Sequence, residues 1–223
     1  MNSLVEELHK DIRVVEGLNA CINCGVCTAI CPAAAMHSYD PRQIIDTVQQ
    51  GNEKSIESLL KEDTIWFCGE CLSCKTRCPR GNTPGYIVQA LRNLSMNTGY
   101  FMESEQGRKQ LALKHTVGEH ILKYGYCVYI DEVDTQRYPE QGPVWEWMKK
   151  NRHQLLERLG CRYQQEGEGG LRQIPEESLN HLQRIFDETG ATQRFREMER
   201  ITTQKAHELG LTEEAYFDLL ENS

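Results

Sequence analysis

The most constraining feature of this sequence is a cysteine pattern that occurs twice. The first copy, Cys-x-x-Cys-x-x-Cys-x-x-x-Cys-Pro, runs from Cys21 to Pro32, and the second runs from Cys68 to Pro79. Every cysteine of one copy has a counterpart at the same offset in the other. Runs with this spacing ligate [4Fe–4S] clusters, and the fourth cysteine of each run serves the other cluster. The repeat therefore predicts two [4Fe–4S] clusters and one-electron chemistry.

The spacing also predicts which cysteines share a cluster. Each iron corner takes one soft thiolate, and three cysteines at x-x spacing wrap one loop around three corners. The fourth cysteine lies one residue too far for that loop, and the proline behind it directs the chain away. The predicted ligands are Cys21, Cys24, Cys27 and Cys78 for cluster one, and Cys68, Cys71, Cys74 and Cys31 for cluster two.

Three other interpretations of the cysteines remain as alternatives. Zinc favours two separated cysteine pairs, which fits the tight fourfold runs poorly. A disulfide framework suits short secreted chains, and no signal-peptide pattern precedes these motifs. A [3Fe–4S] site is disfavoured because none of the eight cysteine positions is replaced.

Composition narrows the class of protein further. The 223 residues carry a formal net charge of −8, which argues against nonspecific nucleic-acid binding. No apolar stretch approaches the length of a membrane span. Two of the ten cysteines, Cys127 and Cys161, lie outside the runs and are predicted to be small buried or half-buried thiols. Because such clusters need a reducing compartment, we expect a cytoplasmic protein.

Helical patterns surround both cysteine runs. Residues 3–15 place Leu4, Leu8, Ile12 and Val15 at helical spacing, which predicts a short amphipathic lead-in. After each run, Asp40-Pro41 and Thr83-Pro84 combine a capping residue with proline at the first helical position.

Between the runs, a helix is predicted near residues 53–62. The aromatic pair of Ile65-Trp66-Phe67 either shields cluster two or packs in the core.

The second half of the chain is less informative. The pattern predicts a helix at 103–123, a short aromatic and β-branched strand at 125–131, a loop from Asp134 to Pro143, a helix at 144–159, a flexible break at 166–170 and two or three helices in 176–221. The predicted fold class is therefore mainly α. It comprises an amphipathic lead-in at 1–14, an α-helical ferredoxin domain with two [4Fe–4S] clusters at 15–100, and a mostly helical C-terminal extension at 101–223.

No motif for organic chemistry accompanies the cysteines. The histidines, among them His37, His115, His120 and His153, stand singly without metal-site spacing and are interpreted as ordinary surface residues. The sequence contains no G-x-G-x-x-G dinucleotide fingerprint and no G-x-S-x-G nucleophile motif. We therefore assign no catalytic residue and expect no direct small-molecule substrate.

The motifs, with the segment from Trp66 to Gly81, resemble the C subunit of heterodisulfide reductase, over about residues 15–100. The wider group is the helical ferredoxin domain of succinate dehydrogenase and anaerobic glycerol-3-phosphate dehydrogenase iron–sulfur subunits. The resemblance implies a non-catalytic relay that exchanges electrons with the catalytic B subunit, in a complex that also contains the A subunit. The chain lacks the Cys-Cys-Gly motifs of the B subunit and the plant-type run of a succinate dehydrogenase iron–sulfur subunit.

The resemblance leaves the reaction open. Complexes of this type act on the CoM-S-S-CoB disulfide in methanogens or on protein-bound sulfane sulfur in sulfur oxidisers, and the long acidic tail slightly favours the second. Two other functions compete: a relay subunit of a flavin-dependent dehydrogenase for glycolate, lactate or glycerol phosphate, and a cluster-bearing regulatory or scaffold protein. Two adjacent clusters suit conduction better than sensing.

Basic residues concentrate around the second run. Residues 65–99 contain Lys75, Arg77, Arg80 and Arg92 against the single acid Glu70, a net of +4 − 1 = +3. Positive charge favours the reduced cluster, so cluster two is expected to have the higher potential. We also expect Lys75, Arg77 and Arg80 to dock an acidic partner surface, the alternative being that they only compensate the charge of the cluster.

Overall fold

The computed structural model describes residues 3–136 and 142–221. Regular structure within these ranges is helical and contains no strand, which confirms the mainly α fold class. The α-helices are α1 Leu4–Lys10, α2 Ile12–Gly17, α3 Val26–Ala29, α4 Pro32–Met36, α5 Pro41–Gln50, α6 Glu53–Lys61, α7 Pro84–Thr98, α8 Glu105–Arg108, α9 Gln110–Leu113, α10 Glu119–Tyr124, α11 Gly142–Lys150, α12 Arg152–Arg158, α13 Glu176–Glu188, α14 Ala191–Glu208 and α15 Glu213–Glu221. Short 3₁₀ helices span Asp63–Phe67, Lys75–Arg77, Tyr100–Glu103 and Ile130–Glu132, and a π-helical turn spans Lys114–Gly118.

The chain divides into two compact units. One unit contains Met1–Gln110 with Glu197–Ser223, and the other contains Leu111–Arg196. Both cysteine runs belong to the first unit. The domain boundaries drawn from the sequence, at residues 14 and 100, stay predictions.

Helix α7 is the centre of the core in the first unit. Ile87, Val88 and Leu91 on this helix are fully buried, together with Ile56 and Leu60 of α6. Burying an aliphatic side chain of this size contributes about 1.5–3 kcal/mol. Helices α1, α2, α5 and α6 all contact α7, so the core forms a rigid base behind the cysteine loops.

The helix starts agree with the sequence signals in most details. The Asp40 carboxylate accepts hydrogen bonds from the amides of Arg42 and Gln43, and Pro41 occupies the first helical position of α5. Pro84 begins α7 in the same way. Thr83 is the N-cap residue of α7, but its side chain makes no capping hydrogen bond, so the expected cap is only positional.

The amphipathic lead-in differs from the prediction of one helix. The first helix ends at Asp11. The Asp11 carboxylate accepts a hydrogen bond from the Arg13 amide and caps the start of α2. The break rotates the second helix, so that Val14 is buried while Ile12 and Val15 are 62% and 64% exposed. Two of the four residues expected on the apolar face therefore face solvent.

The second unit corrects the predicted strand at 125–131. The chain bends at 125–128 and forms a 3₁₀ turn at Ile130–Glu132. Aromatic residues there stack with one another instead of pairing in a sheet: the rings of Tyr124 and Tyr129 lie 4.1 Å apart. Cys127 is exposed, contrary to expectation, whereas Cys161 is half-buried.

The remaining helices follow the expected pattern with interruptions. The predicted helix at 103–123 is broken into α8, α9, the π-helical turn and α10, and the one at 144–159 into α11 and α12. Within the described part of the chain, residues 176–221 form α13, α14 and α15. Residues 137–141 of the predicted loop from Asp134 to Pro143 lie outside the described residues. No helix in the described ranges has the length and apolar character required to cross a bilayer.

Candidate iron–sulfur cluster sites

The two cysteine loops have the same backbone conformation at matched positions. Asn23 and Gly25 of the first run have φ of 57° and 78°, and their counterparts Glu70 and Leu72 have φ of 53° and 56°. Left-handed conformations turn the chain tightly, so that successive side chains converge on one side. Gly69, the residue after Cys68, does not have a positive φ.

The first run and the end of the second run line one cavity. Four cysteines line it: Cys21, Cys24 and Cys27 of the first run together with Cys78 of the second. Four soft thiolates in one cavity are the donor set that an iron–sulfur cluster requires. The chemistry of this site therefore fits a [4Fe–4S] cluster.

Long-range hydrogen bonds bring Cys78 to the first run. The Thr83 amide donates to the Gly17 carbonyl at 2.8 Å. The Asn19 amide donates to Asn82 Oδ1 at 2.6 Å, and Arg80 Nε donates to the Ala20 carbonyl at 3.2 Å. These contacts join two segments that lie some sixty residues apart in sequence, and they hold the residues after Cys78 against those before Cys21.

Backbone amides also point at the sulfur atoms of this site. The Asn23 amide lies 3.4 Å from Cys21 Sγ, and the Asn82 amide lies 3.3 Å from Cys78 Sγ. Such N–H···S contacts stabilise negative charge on the thiolates. Burial acts in the opposite direction on Cys27, where it raises the pKa of the thiol.

A buried tyrosine lies near three cysteines of the second set. Tyr39 is 5% exposed, and Cys68, Cys31 and Cys74 lie close enough to act on the charge of its hydroxyl. Burial and then these sulfur atoms raise the pKa of Tyr39, so the phenol stays protonated. Cys71, the remaining predicted ligand, is exposed, and hydrogen bonding with Ser73 lowers the pKa of its thiol.

Arg92 of α7 holds the segment that leads into the second cysteine run. Its guanidinium donates to the carbonyls of Ile65, Trp66 and Cys68 at 2.8, 2.9 and 2.7 Å, and it pairs with Glu70 at 2.6 Å. The side chain is only 16% exposed. A planar guanidinium can satisfy several acceptors at once, so a single side chain holds the whole segment. Sequence reasoning assigned Arg92 only a charge, since its acceptors are carbonyls that no motif identifies.

Comparison with known proteins agrees with this geometry. Residues 17–82 match the model of a 4Fe-4S dicluster domain. The chain is 37% identical to the C subunit of a ferredoxin:CoB-CoM heterodisulfide reductase from Methanosarcina acetivorans, over 71% of this chain and 61% of the relative. It is 32% identical to the iron-sulfur C subunit of the CoB–CoM heterodisulfide reductase of Methanopyrus kandleri, over 63% and 74%. It is also 32% identical to the corresponding C subunit of Methanosarcina mazei, over 65% and 84%.

The chain belongs to the family of heterodisulfide reductase C subunits. The family predicted from the motifs is thereby confirmed, and so is an iron–sulfur electron-transfer role. The dicluster match favours iron–sulfur chemistry over the zinc and disulfide alternatives. The chain spans 61% of the length of the Methanosarcina acetivorans relative, so the reaction of a whole complex does not transfer with the name.

The basic residues of this family member occupy different places. Lys75 and Arg77 are exposed beside the second run, and the Lys75 ammonium lies 5.0 Å from the centre of the Tyr86 ring. Arg80 lines the cavity of the first run, as does Arg42. The four bases that the sequence analysis grouped around cluster two therefore lie in three different environments. Only Lys75 and Arg77 are exposed beside the second run, while Arg80 lines the first cavity and Arg92 binds backbone carbonyls.

The outer faces of the two loops differ in polarity. Ile22, Val26 and Ile30 of the first run are exposed. The residues at the matched positions of the second run are Gly69, Ser73 and Arg77. At these three positions the first run is therefore apolar and the second is polar and basic, a contrast that was not predicted although the aligned runs display it.

Proposed function

We propose that this chain is the two-cluster electron-transfer subunit of a heterodisulfide-reductase-like complex. It relays electrons to or from a catalytic B subunit, with the A subunit as a further partner, in the cytoplasm where reducing conditions preserve the clusters. One observation carries the proposal: Cys78, the fourth cysteine of the second run, lines the cavity that contains Cys21, Cys24 and Cys27. Cys31 supports the same exchange at the second site, because it lies near Tyr39 together with Cys68 and Cys74.

Bound [4Fe–4S] clusters supply one-electron transfer, and the residues of the chain hold them and set their surroundings. Cys21, Cys24, Cys27 and Cys78 are the proposed ligands of cluster one, and Cys68, Cys71, Cys74 and Cys31 those of cluster two. The hydrogen-bonded loops and the α7 core keep the ligands in place, which limits the structural change that accompanies gain of an electron.

We assign the reaction to a disulfide or sulfane sulfur held by the catalytic partner. The names of the three relatives specify CoB-CoM heterodisulfide, and two of them also name ferredoxin. The sequence contains no G-x-S-x-G nucleophile motif, and all eight thiols of the cysteine runs are proposed cluster ligands. We therefore expect no turnover by the isolated chain, which should accept electrons from a strong reductant yet reduce a disulfide only when the catalytic partner is present.

One basic surface is proposed to meet a partner. Exposed Lys75 and Arg77, with Arg80 at the neighbouring site, suit an acidic surface and a salt-sensitive encounter. Replacing Lys75 and Arg77 by glutamine should slow electron transfer to the partner and weaken its salt dependence. Lys10→Gln, at an exposed base on α1, is the matched control. An unchanged rate and salt slope would show that these charges serve the cluster alone.

The exchange of ligands between runs provides the sharpest test. Cys31→Ser should damage cluster two and leave cluster one largely intact, whereas Cys78→Ser should do the reverse. Cys161→Ser, outside both runs, is the matched control and should retain the full iron content. Iron and sulfide analysis with EPR of the reduced proteins measures the outcome. Loss by Cys31→Ser of the cluster bound by the first run would refute the proposed pairing.

A further inference from the structure

Asn82 presents a buried donor to the first site. The residue is 2% exposed and lines the cavity shared by the four cysteines. Its backbone amide faces Cys78 Sγ, and its Oδ1 accepts from the Asn19 amide. Within residues 3–136 and 142–221, no group accepts a hydrogen bond from its buried Nδ2.

A carboxamide N–H group buried without an acceptor is unfavourable, and folded proteins rarely retain one. An acceptor inside the cavity removes this cost. Sulfur atoms of an iron–sulfur cluster carry negative charge and accept N–H hydrogen bonds, which are among the factors that set cluster potentials. The unpaired Nδ2 of Asn82 can therefore donate a hydrogen bond to a sulfur atom of the iron–sulfur cluster that the surrounding thiolates would bind.

Tyr39 is a buried donor near the second site. It is 5% exposed, and Cys68, Cys31 and Cys74 lie close enough to act on its hydroxyl. The two donors are not copies from a repeat. Asn82 lies four residues after Cys78, and the position four residues after Cys31 is Ala35, which has no donor side chain. The neutral donors of the two sites therefore come from positions that do not correspond in the cysteine repeat.

We propose that Asn82 and Tyr39 set the potentials of the two clusters separately, each by donating one neutral hydrogen bond to sulfur at its own site. The proposal rests on the two-cluster function above. A hydrogen bond to sulfur strengthens when the cluster gains an electron, because the acceptor becomes more negative. Each donor therefore stabilises the reduced state and raises the potential of its cluster. The energy gap between the sites can then be adjusted at either residue without touching a ligand.

Three variants separate these effects in the reconstituted full chain. Tyr39→Phe removes only the hydroxyl. Asn82→Leu removes the donor in a similar volume, and Asn82→Asp keeps the Oδ1 acceptor for Asn19 while replacing the donor by an anion. Ser95→Ala is the matched control, since it removes a buried hydroxyl whose acceptor is the Leu60 carbonyl.

An anaerobic redox titration followed by EPR measures both clusters. We expect Tyr39→Phe to lower the midpoint potential of one titration wave by about 59 mV. For a one-electron couple this shift changes the ratio of oxidised to reduced protein about tenfold. Asn82→Leu should lower the other wave by a similar factor, and Asn82→Asp should lower it further. Ser95→Ala should leave both waves in place, and the Tyr39→Phe, Asn82→Leu double variant should show both shifts independently.

The possible outcomes distinguish this proposal from the function beneath it. Two waves with full iron content that stay unmoved in all three variants would overturn the role of these donors and leave the relay function intact. So would a shift of the same wave by Tyr39→Phe and Asn82→Leu. A wild-type protein that binds only one cluster would overturn both proposals.

Discussion

Replacing Arg92 by methionine tests whether one side chain of α7 holds the segment that leads into the second cysteine run. Methionine keeps much of the aliphatic length but leaves the carbonyls of Ile65, Trp66 and Cys68 without their donor. Each partly buried carbonyl that loses its partner costs about 1 kcal/mol or more. The sum is about 3 kcal/mol, before the ion pair with Glu70 is counted.

This energy has a kinetic consequence for the second cluster. Since about 1.4 kcal/mol changes an equilibrium constant tenfold, the second loop should open roughly a hundred times more often in Arg92→Met. Cluster loss to an iron chelator, followed anaerobically by absorbance and EPR, measures this opening. The second cluster should be lost first and the first cluster later. Arg92→Lys should fall between, because an ammonium cannot satisfy three carbonyls in the fixed geometry of a guanidinium.

Arg200→Met is the matched control. Arg200 is 61% exposed and pairs with Glu197 on the same helix. Such exposed pairs are screened by water and contribute little to stability. Equal rates of cluster loss in Arg92→Met and Arg200→Met would refute the support role, as would simultaneous loss of both clusters.

Two further predictions concern stability. Gly107→Ala should lower the free energy of unfolding by about 1–3 kcal/mol, because the new Cβ would clash with the Phe101 carbonyl oxygen. Denaturant unfolding measures this loss. Gly69→Ala is the control and should be nearly neutral, because a Cβ at Gly69 meets open space. The hydrogen bond from Arg13 lowers the pKa of Asp11 below its ordinary 3.8, so the carboxylate stabilises the fold above that value and the contribution disappears as the pH falls through the depressed pKa. The thermal midpoint of wild type should exceed that of Asp11→Asn at neutral pH and converge with it once the pH falls below the depressed pKa of Asp11. A constant difference would show that the charge of Asp11 is irrelevant.

The lead-in and the aromatic segment at 125–131 show where sequence patterns fail. Helical spacing placed Ile12 and Val15 on an apolar face, but a competing local signal, the Asp11 cap, starts a new helix with a different orientation. Aromatic and β-branched residues at 125–131 predicted a strand, which requires a partner strand, and none exists among the described residues. Tyr124 and Tyr129 bury their rings against each other instead.

The sequence by itself determined the cysteine register, the iron–sulfur chemistry, the family and the helices that begin at Pro41 and Pro84. These features are local: ligand spacing, a proline at a helix start and an apolar repeat act over a few residues and need no knowledge of the rest of the chain.

Only the tertiary structure decided which other residues serve the cysteine sites. Arg92 reaches the carbonyl of Ile65, 27 positions away, and the Asn82 side chain accepts from the amide of Asn19 across 63 positions. The buried side chain of Tyr39, which follows the first run in the sequence, lies near Cys68 of the second run. Such partners are backbone groups and sulfur atoms brought together by packing on α7, and a carbonyl or a buried donor has no signature in the sequence because every residue carries the same backbone.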